Sequence, residues 1–256
     1  MEDRAGSHYE RLAEEYNDNW VYNPGFIEWM TGQILDRLAI RSGDRVADIG
    51  CGTGLYSTAL AEYAGQVLCI DPSAGMLEQL PKDSALVPLQ ASVESIVSGD
   101  VRLPYDRLDA ILVKEAIHHV HDRSAVLSGL ARILAPGGRL LVVMLPTRIE
   151  YPLFKAALDL FEELQPDPNE VAAAMRATGL QVNIERESFS LSFDKARYIG
   201  MVRARYMSLL SSFDDAQLDR GIAEMDARYR DGQLDFVDRQ VFILGTRIQP
   251  HSTAMS

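Results

Sequence analysis

The chain has 256 residues, 47% of them hydrophobic, a formal net charge of −12 and two cysteines. A chain of that size buries roughly 70–75% of its unfolded surface without staples, and Cys51 and Cys69 alone exclude a disulfide framework and suit a reducing cytoplasm. No apolar run approaches the roughly 18–20 residues of a membrane span, the charged start MEDRAGSHYERLAEEY lacks a signal-peptide core, and the acidity, with no Lys/Arg cluster, disfavours nucleic acid and leaves a small-molecule partner.

In chain order, Phe26, Ile27, Met30, Ile34, Leu35 and Leu38 predict an amphipathic helix. Apolar runs then predict strands at Arg45–Ile49, Gln66–Asp71, Ala85–Gln90, Leu108–Val113, Arg139–Leu145, Leu180–Glu187 and Arg239–Thr246. Helical periods separate them, the alternation of a mainly parallel sheet covered by helices. Leu55, Ala59, Leu60 and Tyr63 are expected to form the packed face of the helix after the first strand. The run RLLVVML is continuous, as in a strand buried on both faces. Asp167, Pro168, Glu170 and Gly179 delimit a helix as N-cap, first position, capping acid and terminator. Between the sixth and seventh strands about fifty residues read as two helices, the second opened by Asp214 and Gln217; an insertion of that length predicts a lid or substrate wall. The chain thus divides as one domain over 1–256, with a helical N-terminal cover at 1–40 and a lid at 190–236.

The stretch RVADIGCGTGLYSTALAEYA carries the chemistry. Gly50, Gly52 and Gly54 alternate at the mouth of a strand. The dinucleotide fingerprint wants a third small residue where this chain has Leu55 or Ser57, so a pyrophosphate is disfavoured. Asp48, two residues before the first glycine, repels phosphate and welcomes a cation. Asp71 ends the second strand 21 residues after Gly50, where a carboxylate can accept both hydroxyls of a ribose. A nucleoside without phosphates fits all five positions.

These motifs resemble the class I S-adenosylmethionine-dependent methyltransferases: VADIGCGTG the first motif of that family, IDPSAGML the second, ASVESI the adenine segment, LDAILVKEAIHHV the fourth-strand motif and LAPGGRLLVV the fifth. The resemblance implies a doubly wound, Rossmann-like sheet of seven strands in the order 3-2-1-4-5-7-6, S-adenosylmethionine as cofactor, and methyl transfer to a small molecule. It places Gly50, Gly52 and Gly54 at the methionine part, Asp71 at the ribose, and Pro72 and Met76 at the adenine face. Where many members carry an acid this chain has Ser92, so Ser92 and the Val93 backbone, or Glu94, would meet the adenine amino group. Tyr16 and Tyr22 belong to an aromatic N-terminal helix, and a ring there stabilises a sulfonium by cation–π attraction.

VKEAIHHVHD follows the fourth strand. Adjacent histidines face different sides of a turn, and zinc helices use an i, i+4 pair, so no metal is expected. By the resemblance His118 faces the acceptor and can take a proton, His119 packs as a buried structural residue, and Lys114 and Glu115 lie at the amino-acid end of the cofactor, Glu115 as a second catalytic candidate. Arg203, Arg205 and Tyr206 of the insertion are candidates to clamp an acceptor carboxylate. Two other readings stay open: a cyclase or lyase that consumes the donor and yields methylthioadenosine, and a non-catalytic donor-binding regulatory partner.

Overall fold

The computed structural model describes residues 24–249. Tyr16, Tyr22 and the first part of the expected cover lie outside the described residues. The first helix, α1 (Pro24–Leu38), buries Phe26, Met30, Ile34 and Leu38, one stripe of residues four apart, as a helix that packs by a single face requires. Strand β1 (Val46–Ile49) follows, buried at every residue.

The next helix, α2 (Ser57–Ala64), departs from expectation. It buries Ser57, Leu60, Ala61 and Ala64, while Leu55 is 40% and Tyr63 51% exposed. Leu60 packs inward as expected, with the small Ser57, Ala61 and Ala64 beside it, while Leu55 and Tyr63 are turned outward.

The alternation then continues through β2 (Val67–Asp71), α3 (Ala74–Glu78), β3 (Leu86–Gln90), α4 (Val93–Ser98), β4 (Leu108–Lys114), α5 (Arg123–Ile133) and β5 (Leu134–Met144). Helices α6 (Lys155–Leu164) and α7 (Pro168–Ala177) lead to β6 (Gln181–Asp194), then α8 (Lys195–Arg203), α9 (Asp215–Arg228) and β7 (Gln233–Thr246). Helix α7 is capped by Asp167, with Pro168 in its first turn, and Asp214 and Gln217 form a reciprocal capping box on α9.

The seven strands run in the order β3-β2-β1-β4-β5-β7-β6. All pairings are parallel except those of β7, which is antiparallel to both β5 and β6. Strands β2, β1, β4 and β5 therefore deliver their carboxyl ends to one edge, and β7 begins at that edge. Alternate side chains feed two cores: Leu141 and Val143 face the side with α1, α8 and α9, whereas Leu140, Val142 and Met144 face the side with α5 and α7. Arg37 of α1 lies over the Phe242 ring at 4.1 Å and pairs with Glu185 at 2.6 Å, fastening the first helix to the antiparallel edge. Among the described residues no helix is long and apolar enough to cross a membrane.

The last two strands run further than the apolar pattern predicts. They pair over 14 residues each, from Gln181–Thr246 to Asp194–Gln233, so strand fills both ends of the segment expected to be lid and the helical part begins at Lys195. Polar residues alternate along the outer half of β6, which hides a strand from a search for apolar runs.

Gly221 of α9 sits against Phe154: a Cβ there would stand 2.5 Å from the ring, whereas one on Gly200 of α8 meets nothing within 4 Å. Gly221→Ala is expected to cost about 1–3 kcal/mol by overpacking, and Gly200→Ala to stabilise by about 0.4–1 kcal/mol through the unfolded chain. Urea denaturation of the two variants checks both signs.

Candidate active site

The loop after β1 is built without side chains where it matters. Gly50, Gly52 and Gly54 have φ of 71°, 55° and 78°, the left-handed region that glycine enters without a Cβ penalty. A Cβ on Gly50 would stand 2.5 Å from the Ala116 Cβ, and one on Gly54 would collide with Leu80. The Gly50 and Cys51 N–H groups both donate to the Ile70 carbonyl, at 2.7 and 3.1 Å, which draws the loop onto the end of β2.

There Asp71 completes the tie. One carboxylate oxygen accepts from the Gly52 N–H and the other from the Ser73 N–H, both at 2.9 Å. These two bonds fix the plane of a carboxylate that has about four acceptor positions. Ser73 in turn caps α3 by accepting from the Met76 N–H. Met76 is buried and Pro72 exposed. The Ser92 hydroxyl caps α4, accepting from the Ser95 N–H at 3.2 Å, and Val93 opens that helix, half-buried.

Beneath the loop lies Asp48, 4% exposed, its carboxylate accepting from the Ser57 hydroxyl at 2.6 Å. Burial pushes its pKa up to about 6; the Ser57 bond and the Lys114 charge oppose the rise. Ser57 was read from the sequence only as a misfit to the dinucleotide pattern. Its hydroxyl is what makes a buried Asp48 tolerable, since an unpaired buried carboxylate is costly.

Lys114, the last residue of β4, places its ammonium 5.0 Å from the centre of the Tyr56 ring. Burial alone would lower its pKa, yet Tyr56, Glu115, Asp238 and Asp48 together hold it above the usual range. Glu115 follows with φ 50°, a left-handed conformation that costs a residue with a side chain about 1–3 kcal/mol and persists where surroundings enforce it. Burial pushes the Glu115 carboxyl up to about 7 against the pull of Lys114.

His118 and His119 sit in a short 3₁₀ turn, Ile117–His119. Their ring centres lie 4.0 Å apart, so they stand side by side rather than on opposite sides of the turn. His119, expected to pack as a buried residue, is exposed, and His118 is half-buried. The His118 Nδ1 is buried without a hydrogen-bond partner, and burial, with His119 and Arg123 nearby, lowers its pKa to about 3. Among the described residues no group of three or more metal-ligating side chains is assembled.

The arginines of the insertion go elsewhere. Arg203 pairs with Asp219 and Arg205 with Asp215, at 2.8 and 2.7 Å; both acids belong to α9. These pairs staple α8 and its exit to α9, and the structure gives the arginines that partner in place of an acceptor carboxylate. Tyr206 is buried, its hydroxyl 2.8 Å from that of Tyr198; burial raises its pKa.

The sequence analysis missed a polar cluster on the inner face of β7. Asp238, fully buried, accepts at one carboxylate oxygen from the Tyr151 hydroxyl at 2.9 Å and the Gln240 amide at 3.0 Å. Its charge is felt by Tyr56, Lys114, Glu115 and Tyr206. Among the described residues Asp238 Oδ2, Gln240 Oε1 and Glu115 Oε1 have no hydrogen-bond partner, and each such buried atom costs about 1–3 kcal/mol. The available signal was Gln240, a polar residue two before Phe242 on the inward parity of an apolar strand; the predicted strand stopped at Arg239 and cut Asp238 off.

A sheet in the order 3-2-1-4-5-7-6, a glycine loop after β1 and an acid at the tip of β2 define the S-adenosylmethionine-dependent methyltransferase class. The family model of a methyltransferase domain matches residues 47–142. A ubiquinone biosynthesis O-methyltransferase of Xanthomonas campestris pv. campestris is 31% identical over 164 residues, 58% of this chain and 68% of that protein. The methyltransferase GfsG of Streptomyces halstedii is 34% identical over 124 residues, 47% of this chain and 45% of its own. The chain thus covers between 45 and 68% of these two curated relatives. A crystal structure titled as a putative methyltransferase from an antibiotic biosynthesis pathway of Anabaena variabilis superposes with a TM-score of 0.65 at 19% identity, over 83% of this chain and 95% of that one. This chain belongs to the class I S-adenosylmethionine-dependent methyltransferases, and S-adenosylmethionine is its cofactor.

Two outcomes follow. Gly50→Ala is expected to weaken S-adenosylmethionine binding at least about tenfold, since strain of about 1–3 kcal/mol adds to the clash with Ala116. Gly52→Ala, with open space around its Cβ, loses less; titration calorimetry ranks them. His118 has a folded pKa near 3 against an ordinary 6.5, so below pH 6.5 the unfolded chain takes up a proton that the folded chain refuses. Its contribution is fully present above pH 6.5 and is lost as pH falls towards 3. His118→Gln is expected to flatten the loss of melting temperature over that range.

Proposed function

We propose that the protein transfers a methyl group from S-adenosylmethionine to a small-molecule acceptor bound at the sheet edge where β4 and β5 end and β7 begins. The observation that carries this reading is the Asp71 carboxylate bonded on both oxygens to the glycine loop and the next helix, because it presets the donor's ribose acceptor before any ligand arrives. Gly50, Gly52 and Gly54 would hold the methionine part, Asp71 the ribose, and Pro72, Met76, Ser92 and Val93 the adenine. The bound donor supplies the methyl: a lone pair of the acceptor forms the new bond to carbon while sulfur keeps the electrons of the old one, leaving S-adenosylhomocysteine.

The protein's share is alignment and exclusion of water, which supply most of the rate for an already electrophilic sulfonium. Asp48 and Glu115, buried acids near the donor, offer negative charge to a cationic ligand. His118, neutral throughout the physiological range, with an Nδ1 that has no hydrogen-bond partner among the described residues, orients an acceptor hydroxyl or amine; so low a pKa suits it to positioning rather than to taking the proton. The aromatic residues Tyr56, Tyr151, Tyr198 and Tyr206 wall the acceptor side, and α8 and α9 form its cover. Net charge of −12 favours a small molecule over nucleic acid, and the free thiols of Cys51 and Cys69 favour the cytoplasm.

Mass spectrometry of the pure protein with S-adenosylmethionine tests this directly. The donor is expected to remain intact alone and to become S-adenosylhomocysteine when a panel of small phenols, polyols and amines is added. Methylthioadenosine from the donor alone would replace methyl transfer by donor cleavage or cyclisation.

A further inference from the structure

Natural interiors leave few polar atoms unpaired. Among the described residues five buried side-chain atoms have no hydrogen-bond partner, and three of them, on Glu115, Asp238 and Gln240, lie at the carboxyl edge of the sheet on the acceptor side. All three are oxygens. Asp238 is fully buried and Gln240 is 3% exposed. The local donors are already committed: the Tyr151 hydroxyl and the Gln240 amide both serve the same oxygen of Asp238, leaving Oδ2 without one. Lys114, the nearby cation, lies over the Tyr56 ring and forms no ion pair among the described residues.

A cluster that leaves three acceptor oxygens without donors and holds two carboxylates to one ammonium selects the opposite character in its ligand. We propose that the acceptor is a hydrogen-bond donor at its anchored end, an amine or a polyol rather than a carboxylate or phosphate, held by the unpartnered oxygen of Asp238 with Gln240 and Glu115 as flanking acceptors. This rests on the methyl-transfer reading above and adds the chemistry of its substrate. A carboxylate would meet three oxygens and a single ammonium whose charge Glu115, Asp238 and Asp48 already oppose. An ammonium or a pair of vicinal hydroxyls would meet an acceptor for each hydrogen it offers. Buried charge-assisted bonds of this kind are the strong ones, and a group built to bind donors rejects an analogue that lacks them.

Three phenolic probes separate the possibilities: tyramine, whose far end is an ammonium, 3,4-dihydroxybenzyl alcohol, which is uncharged and offers a vicinal pair of hydroxyls and a third on its far end, and 4-hydroxyphenylacetate, whose far end is a carboxylate. Each is titrated by calorimetry into the protein saturated with S-adenosylhomocysteine. Binding of tyramine or of the triol, weakened at least about tenfold in Asp238→Asn, with S-adenosylhomocysteine affinity unchanged, is the expected result, and which of the two binds tells amine from polyol. Tighter binding of 4-hydroxyphenylacetate, no binding of either donor probe, or equal binding by Asp238→Asn overturns the proposal while leaving methyl transfer intact. Failure of S-adenosylhomocysteine to bind at all overturns both.

A second readout guards against a purely structural Asp238. Asparagine keeps the oxygen that Tyr151 and Gln240 use and removes an uncompensated buried charge. The melting temperature of Asp238→Asn is therefore expected to equal or exceed that of the parent, as for a residue kept for binding at a cost in stability. A fall together with unchanged probe affinity would make Asp238 a framework residue.

Discussion

The carboxylate of Asp71 is the tie on which the cofactor side depends. Parallel strands end in the same direction, so the loop leaving β1 and the helix leaving β2 emerge side by side with unpaired backbone N–H groups. Asp71 accepts one N–H from each at 2.9 Å, and Ser73 passes the order on to α3. Glycine loses more conformational freedom on folding than any other residue, and three of them in left-handed conformations would hold no single shape without such a clamp. The bonds that Gly50 and Cys51 donate to Ile70, and Gly52 and Ser73 to Asp71, tie the glycine loop to the end of β2 as one unit.

A second constraint runs through the acids below and beside that unit. Asp48, Glu115 and Asp238 are all pushed upward by burial, and Lys114, held charged at the end of β4, is shared among them. The donor half of the site is made of backbone and the acceptor half of side chains, and Lys114 and Glu115 stand at the seam. The left-handed φ of Glu115 and the nearly touching Gly50 and Ala116 fall at the same seam, where β1 and β4 end side by side. Strain concentrated there is what a site that must align two ligands over one strand end is expected to show.

Much of this was written in the sequence because it depends on backbone rules. Alternating glycines, an acid 21 residues on and strands buried on both faces are local patterns, and the sheet order follows the family that carries them. Legibility failed where burial is decided by tertiary contact. The face of α2 is shifted because Ser57, Ala61 and Ala64 join Leu60 in its buried set while Leu55 and Tyr63 are exposed. Which acids Arg203 and Arg205 meet is decided by α9, which brings Asp219 and Asp215 to them. His119 is exposed because a 3₁₀ turn replaces the helix that the spacing implies. Asp238 and Gln240 stayed hidden for a related reason: a polar pair on an inward strand face reads as the end of a strand until Tyr151, 87 residues away in sequence, is found bonded to it.

The hairpin of β6 and β7 separates what the two ends of the molecule can change. Its last paired residues, Asp194 and Gln233, stand across one ladder rung, so the 38 residues between them leave and rejoin the scaffold at adjacent points. Replacing a loop whose ends already touch costs little chain entropy, growing only with the logarithm of its length. The segment behaves as an exchangeable cassette on a fixed handle. Evolution, or an engineer, can rewrite that segment without disturbing one bond of the glycine loop and Asp71.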